Sequence, residues 1–395
     1  MTAVALPSRT GAPNGGVVQR MVAAARRLEA EGRDVVRVDI GEPDFATPAH
    51  IVEAGARALR DGATKYVAPA GLPALRAAIA HSVAARGVEA AAEQVVVTAG
   101  ARPMLWYALQ ALVGRGDGVL LPDPGYPGYA AAVHLAGGVA VRYALAATPN
   151  GFRLDVDALR AAVAPDVRVL VLNAPGNPTG LTLDEAERAA VAALALERDL
   201  WVVTDEIYSA IAFDRSAPTS IAALPGMAAR TVLVDGFSKT YAMTGWRLGY
   251  GVMPRAVADS VAALVAECTT CTPAFVQHAG LAALAGPQDA VADMRDAYRQ
   301  RRDLLVRGLS AIPGVVAPPP RGAFYTFADV SGAMARGPWT SSDDLAADLL
   351  DTHGVACVPG SAYGVRGEGH LRLALTAAPA RLEEGVRRIA ACLGA

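Results

Sequence analysis

From Gln94 to Met253 the chain alternates short apolar runs with stretches of helical periodicity, and this rhythm constrains the fold more than any other feature. The runs Val95–Thr98, Val119–Pro122, Val139–Tyr143, Val167–Asn173, Leu200–Asp205, Thr231–Val234 and Gly249–Met253 are rich in Val and Leu and mostly unbroken by polar residues. A strand with one wet face alternates apolar and polar side chains. A strand apolar at nearly every position is covered on both faces, as in parallel sheets wrapped by helices. Helical patterns, clearest at Arg102–Val113 and Asp184–Glu197, supply the cover. The expectation is an α/β fold, its large domain a mostly parallel seven-stranded sheet sandwiched by helices.

The flanks read differently. Val17–Glu31 predicts a helix closed by Gly32, Val35–Ile40 a short strand, and Gly41–Phe45 a turn in which Pro43 holds Glu42 extended. Thr47-Pro48 opens a helix to about Arg60, and Gly71–Arg86 forms another. Past Asp293 comes an Arg-rich helix (Asp293–Ser310), then a strand in Gly322–Val330 and a helix at Ser342–Thr352. Strands at Val355–Val358 and His370–Leu375 and a final helix complete the chain. This part predicts a smaller α+β domain. The boundaries expected are an N-terminal segment 1–46 that contributes to the small domain, a large domain 47–293 and a small C-terminal domain 294–395.

Hydrophobic residues make up 53% of the 395 positions and charged residues 19%, enough apolar surface for a large core. With a net charge of −2 and interspersed signs, neither nucleic acid nor a membrane surface is an expected partner. No apolar run reaches membrane-spanning length. Residues 1–16 read as a loop without the pattern of a secretory signal. Four cysteines without a paired framework point to a reducing, cytoplasmic setting. Cys268 and Cys271 form a C-x-x-C with no second pair or His cluster, so no metal is expected.

Ligands of open α/β sheets bind beyond the carboxyl ends of the strands. Thr98-Ala-Gly-Ala-Arg102, Asn173-Ala-Pro-Gly-Asn-Pro-Thr-Gly180, Thr204-Asp-Glu-Ile-Tyr208 and Ser238-Lys239 all fall there. Of 36 Lys plus Arg, only Lys65 and Lys239 are lysines, so the candidates for amine chemistry are nearly enumerated. An Asp ending an apolar strand needs a partner, and a protonated ring nitrogen is one. Lys239, Asp205, Tyr208, Asn177 and Arg247 together suit an aldehyde cofactor. The amine forms a Schiff base, the acid keeps a pyridine nitrogen protonated, a hydroxyl and an amide bond the ring oxygen, and Arg247 with Ser238 holds a phosphate. That constellation is pyridoxal 5′-phosphate binding.

The motifs GEPDF (41–45), KYVAPAG (65–71), NAPGNPTG (173–180), TDEIY (204–208), SKTYAMTGWRLGY (238–250), RGAFY (321–325) and HLRLALT (370–376) occur in one order. From about Val17 onward the chain resembles class I/II aminotransferases of the aspartate aminotransferase kind, fold-type I pyridoxal-phosphate enzymes. The resemblance implies that Lys239 forms the internal aldimine and then shuttles a proton between substrate and cofactor. It implies that Asp205 pairs with the pyridinium nitrogen and that Tyr208 and Asn177 contact the ring oxygen. Tyr126 would stack on the ring. The amides of Ala101 and Arg102, with Ser238 and Arg247, would hold the phosphate. Tyr66 would reach the phosphate of a neighbouring subunit, making the active unit a homodimer. Arg372 would take the substrate α-carboxylate, assisted by Asn177 and the Gly41 backbone. The implied reaction is ping-pong transfer of an amino group from an L-amino acid to a 2-oxo acid.

Three departures bear on the substrate. Arg102 stands where many relatives have a lysine that meets a distal carboxylate, and reads equally as a residue that only starts a helix. Gly15-Gly16 replaces bulkier residues in a pocket-lining segment. Glu267 lies where relatives place a polar residue or an arginine, which disfavours a dicarboxylate. An alternative is therefore a lyase, replacement enzyme or cyclase acting on an amino acid or an S-adenosylmethionine-like substrate. A nicotinamide dehydrogenase would need G-x-G-x-x-G after an early strand, and none follows Val95–Thr98. A cofactor-sensing regulator would need a DNA-binding unit that 16 residues cannot form.

Overall fold

The computed structural model describes residues 15–213 and 219–394; the loop reading for residues 1–14 lies outside them. After a short β1 (Val36–Arg37), the main sheet is built from β2 (Val95–Thr98), β3 (Gly118–Asp123), β4 (Val139–Thr148), β5 (Gly151–Leu154), β6 (Val167–Asn173), β7 (Trp201–Asp205), β8 (Thr231–Gly236) and β9 (Gly249–Val252). Their spatial order is β2-β9-β8-β7-β6-β3-β4-β5. The central run β8-β7-β6-β3-β4 is parallel, while β9, β2 and β5 join antiparallel. Every residue of β2, β3, β8 and β9 is buried, as the unbroken apolar runs required. On one face Val96, Val169, Val171, Val203 and Val232 pack with Met104 and Leu105 of the helix Ala101–Leu112 and with the helix Arg255–Thr269. On the other, Val95, Val97 and Leu233 pack with Leu75, Ile79 and the helix Ala274–Ala285.

The sheet has eight strands rather than the seven expected. β4 continues past Tyr143 to Thr148 and turns through Pro149-Asn150 into β5. Gly151, at φ +112°, makes that turn possible. β5 is a short edge strand with Arg153 facing out to Asp184 and Glu187, so its sequence lacks the continuous apolar signal of the central strands. The predicted strand Val355–Val358 is split at Cys357. β11 (Val355–Ala356) pairs parallel with β1, which is shorter than the predicted Val35–Ile40. β12 (Val358–Pro359) pairs antiparallel with β13 (His370–Ala374), itself paired with β10 (Tyr325–Asp329). The N-terminal stretch is thereby stitched to the C-terminal part of the chain.

Register places the chemistry. Asn173 at the end of β6 lies opposite Asp205 at the end of β7, and Asp205 lies opposite Val234 of β8. Three residues past the end of β8, in the one-turn helix Phe237–Thr240, comes Lys239. Gly249 of β9 carries no side chain for a steric reason: a Cβ there would meet the Ala101 amide nitrogen at 2.3 Å. The close approach seats the start of the helix Ala101–Leu112 on the sheet beside Lys239's strand.

Candidate active site

A cavity of about 640 Å³ opens at these strand ends. Lys239, Asp205, Tyr208, Asn177, Tyr126 and Ser238 line it, with Ala101, Arg102, Arg247, Gly41 and Arg372. Tyr66 does not; it is 84% exposed on the outside of this chain. Glu267, exposed near the end of the helix Arg255–Thr269, also lies outside the lining. Gly15-Gly16 begins a helix (Gly15–Ala30) whose Val18, Val22 and Arg26 reach the cavity.

Asp205 accepts a hydrogen bond from the Tyr129 hydroxyl at 2.8 Å and from the Ile207 amide at 3.2 Å. Neither donor is a cation. Burial pushes its carboxyl up to about 6, against the pull of those two donors. Lys239 Nζ donates to the Gly41 carbonyl at 2.6 Å. Burial pulls this amine down to about 8, and the Arg247, Arg372 and Arg102 charges act in the same direction while Glu42 opposes them. An amine near neutrality is nucleophilic at physiological pH. Asn173 braces both strand ends: its Nδ2 donates to the Asp205 carbonyl at 2.9 Å, and its Oδ1 accepts from the Asn177 amide at 2.8 Å. Asn177 Oδ1 is buried without a partner and faces the same cavity.

At one end the helix Ala101–Leu112 begins at Gly100, which has φ +104° and provides no side-chain cap. A Cβ on Gly100 would meet the Arg247 guanidinium at 2.4 Å. Arg247 itself has φ +56° and donates to the Thr244 carbonyl at 2.7 Å. Uncapped helix amides, the Ser238 hydroxyl and a guanidinium thus converge, which is the donor set of an anion site. Arg102 holds its guanidinium 5.5 Å from the Tyr126 ring centre. Arg372, on β13 and only 4% exposed, lies over the Tyr325 ring at 4.5 Å and donates to the Asp39 carbonyl, with Nε buried and unpartnered. A planar carboxylate would satisfy that free edge of the fork.

The model of the aminotransferase class I and II family matches residues 33–389. The chain belongs to this family. It is 36% identical over 382 residues to an aspartate aminotransferase of Rhizobium meliloti, covering 95% of this chain and 92% of that one. It is 38% identical over 370 residues to an arginine–pyruvate transaminase of Pseudomonas aeruginosa, covering 93% and 92%. Among solved structures, the Thermus thermophilus aspartate aminotransferase with maleate superposes with a TM-score of 0.92 at 35% identity, covering 99% of this chain and all of that one.

As a class I and II aminotransferase the chain is an enzyme, and its cavity holds three side chains to which the sequence reading gave no role. Tyr129 bonds Asp205. Tyr325 places its hydroxyl 3.0 Å from that of Tyr208, and it packs so close that a Cβ on Gly41 would meet it at 2.3 Å. Asn173 ties the two strand ends. Tyr129 lies three residues past Tyr126 and Tyr325 within RGAFY, so their neighbourhoods were visible in the sequence while their directions were not. No helix among the described residues is long and apolar enough to cross a membrane.

Proposed function

We propose that the chain transfers an amino group from an L-amino acid to a 2-oxo acid, using pyridoxal 5′-phosphate anchored on Lys239, in two half-reactions of a ping-pong cycle. The observation that carries this reading is Asp205. It is a carboxylate at the cleft floor with hydrogen-bond donors but no cation beside it, in the same cavity as an amine depressed to about 8. A protonated ring nitrogen supplies the missing charge. The bound cofactor would serve as an electron sink for the carbanion left when the substrate α-proton is removed.

The remaining roles follow from placement. Ser238, Arg247 and the amides of Ala101 and Arg102 receive the phosphate. The Asn177 side-chain NH₂ and the Tyr208 hydroxyl would donate to the ring's oxygen, and Tyr126 would cover the ring. Arg372, with its buried and unpartnered Nε, would grip the substrate carboxylate and so orient the substrate in the cavity. Lys239 Nζ would be the group in this cavity that takes the substrate α-proton. Arg102 at the cavity wall, without a carboxylate partner among the described residues, favours an acidic acceptor such as 2-oxoglutarate. The reading places the protein in the cytoplasm as a homodimer in which Tyr66 of each subunit reaches the other's phosphate. It divides the chain at about 46 and 293, the long helix Asp289–Ser310 spanning the second boundary.

Borohydride reduction of the loaded enzyme followed by peptide mapping tests the anchor: the label is expected on Lys239, and a label on Lys65 or none refutes it. Half-reactions with single amino acids are expected to bleach the cofactor's visible absorbance and release one 2-oxo acid. Release of ammonia or another leaving group in place of that bleaching would favour elimination, replacement or cyclisation.

A further inference from the structure

Below the strand ends lies a group of charges that no role above uses. Arg86, in the turn after the helix Pro73–Val83, is 8% exposed. Its Nη1 is 2.7 Å from Glu206 Oε2 and 3.0 Å from Asp235 Oδ2. Both acids are buried, at 4% exposure each. Arg86 Nη2 also donates to the Tyr250 hydroxyl at 3.4 Å, and every other side-chain partner of the two acids is a donor. Ser220 and Thr204 hydroxyls donate to Glu206 at 2.6 and 3.2 Å. The Tyr250 and Ser209 hydroxyls and the Gly236 amide donate to Asp235 at 3.3, 3.3 and 2.6 Å. Two donor-saturated carboxyl groups share one guanidinium, so with both ionised the cluster carries one net negative charge. Burial raises both acids and outweighs the pull of the Arg86 charge and these donors; burial likewise opposes the Arg86 charge, but there the two acids outweigh it.

Such a cluster is a poor device for stability, since desolvating three charges costs more than it returns unless all are paired. Its position is telling. Glu206 follows Asp205 directly, and Asp235 sits four residues before Lys239 on the neighbouring strand. None of the three lines the cavity. Asp205 is faced by Tyr129, by the Ile207 amide and by the aromatic hydroxyls of Tyr126 and Tyr208, none of them charged, and both cluster acids add to the rise of its proton affinity.

We propose that Glu206 and Asp235, held by Arg86, are positioning residues for Asp205: they fix its strand end and supply one net negative charge that favours a cationic ring nitrogen against it. The inference rests on the cofactor reading above, and its test separates the two. Dissociation constants would be measured for pyridoxal 5′-phosphate and for its 1-deaza analogue, which has no ring nitrogen to protonate, with wild type, Glu206→Gln and Asp235→Asn. Wild type is expected to prefer the nitrogen-bearing cofactor. Either neutralised variant, shape kept, is expected to shrink that preference by roughly tenfold, the effect of one unit of proton affinity. A cluster that only supports the fold would weaken both ligands equally, and that result overturns the inference, as does an unchanged preference in both variants. The second variant guards against failure of the first to fold. Absence of any preference in wild type would instead remove the Asp205–ring nitrogen contact, and the inference with it.

Discussion

Without cofactor, Asp205 is a liability, and removing its charge should stabilise the protein. Its carboxyl is raised from 3.8 to about 6, mainly by burial. A group with a raised folded-state value favours the folded state fully below its unfolded value and loses that contribution as pH rises through the folded one. A shift of about two units corresponds to ~3 kcal/mol at pH 8, where the acid is ionised. Asp205→Asn removes this term. It also replaces an acceptor by an amide NH₂; the Tyr129 hydroxyl can rotate to accept from it, so the loss is about 1 kcal/mol. The net expectation is that cofactor-free Asp205→Asn is more stable than wild type by ~2 kcal/mol at pH 8. The advantage should fall between pH 6 and 4 and vanish or reverse below pH 4. Thermal unfolding of both cofactor-free proteins across that range measures it. Saturating cofactor should invert the order at pH 8, because the ring cation then compensates Asp205 and has nothing to pair with in the variant. An Asn variant less stable at pH 8, or an advantage that ignores pH, would refute the reasoning.

Arg372→Lys should lower kcat/KM for every amino acid by ~10²–10³-fold, about 3–4 kcal/mol, because a point charge replaces a planar fork stacked on Tyr325. The cofactor spectrum should be unchanged, which separates this effect from misfolding. Tyr129→Phe removes one of the two hydrogen bonds that hold the Asp205 carboxyl in place, so cofactor affinity should fall by about 10–100-fold, read by equilibrium dialysis. Gly100→Ala forces a side chain into φ +104°, at ~1–2 kcal/mol, and against the Arg247 guanidinium. It should weaken competition by inorganic phosphate for the cofactor site, measured as the inhibition constant, beyond its effect on melting temperature.

The central strands were legible because they are covered on both faces, and that state writes a continuous apolar run into the sequence. β5 escaped because an edge strand keeps Arg153 in solvent and needs only a few inward residues. The fate of Val355–Val358 was illegible for another reason. The segment is apolar throughout, so periodicity identifies a strand but carries no mark of Cys357, where it changes partner from β1 to β13. That choice belongs to tertiary packing, not to local pattern.

The site divides along the same physical line. Lys239, Asp205 and Asn177 were legible because each lies at or within four residues of the carboxyl end of a central strand, the edge at which ligands of such sheets bind. Tyr126 lies in the loop just before the helix Gly128–Leu135 and Tyr129 in its first turn, so which of them reaches the acid depends on how that loop and helix dock. Arg86 was beyond reach altogether. Its partners are 120 residues away in Glu206 and farther still in Asp235, and in a chain where arginine fills nearly every basic position one more arginine carries no signal. What singles it out is burial, a property of the assembled sheet. The residues that line the cavity can therefore be read from motifs, while the buried charges behind it emerge only when strands distant in sequence are brought side by side.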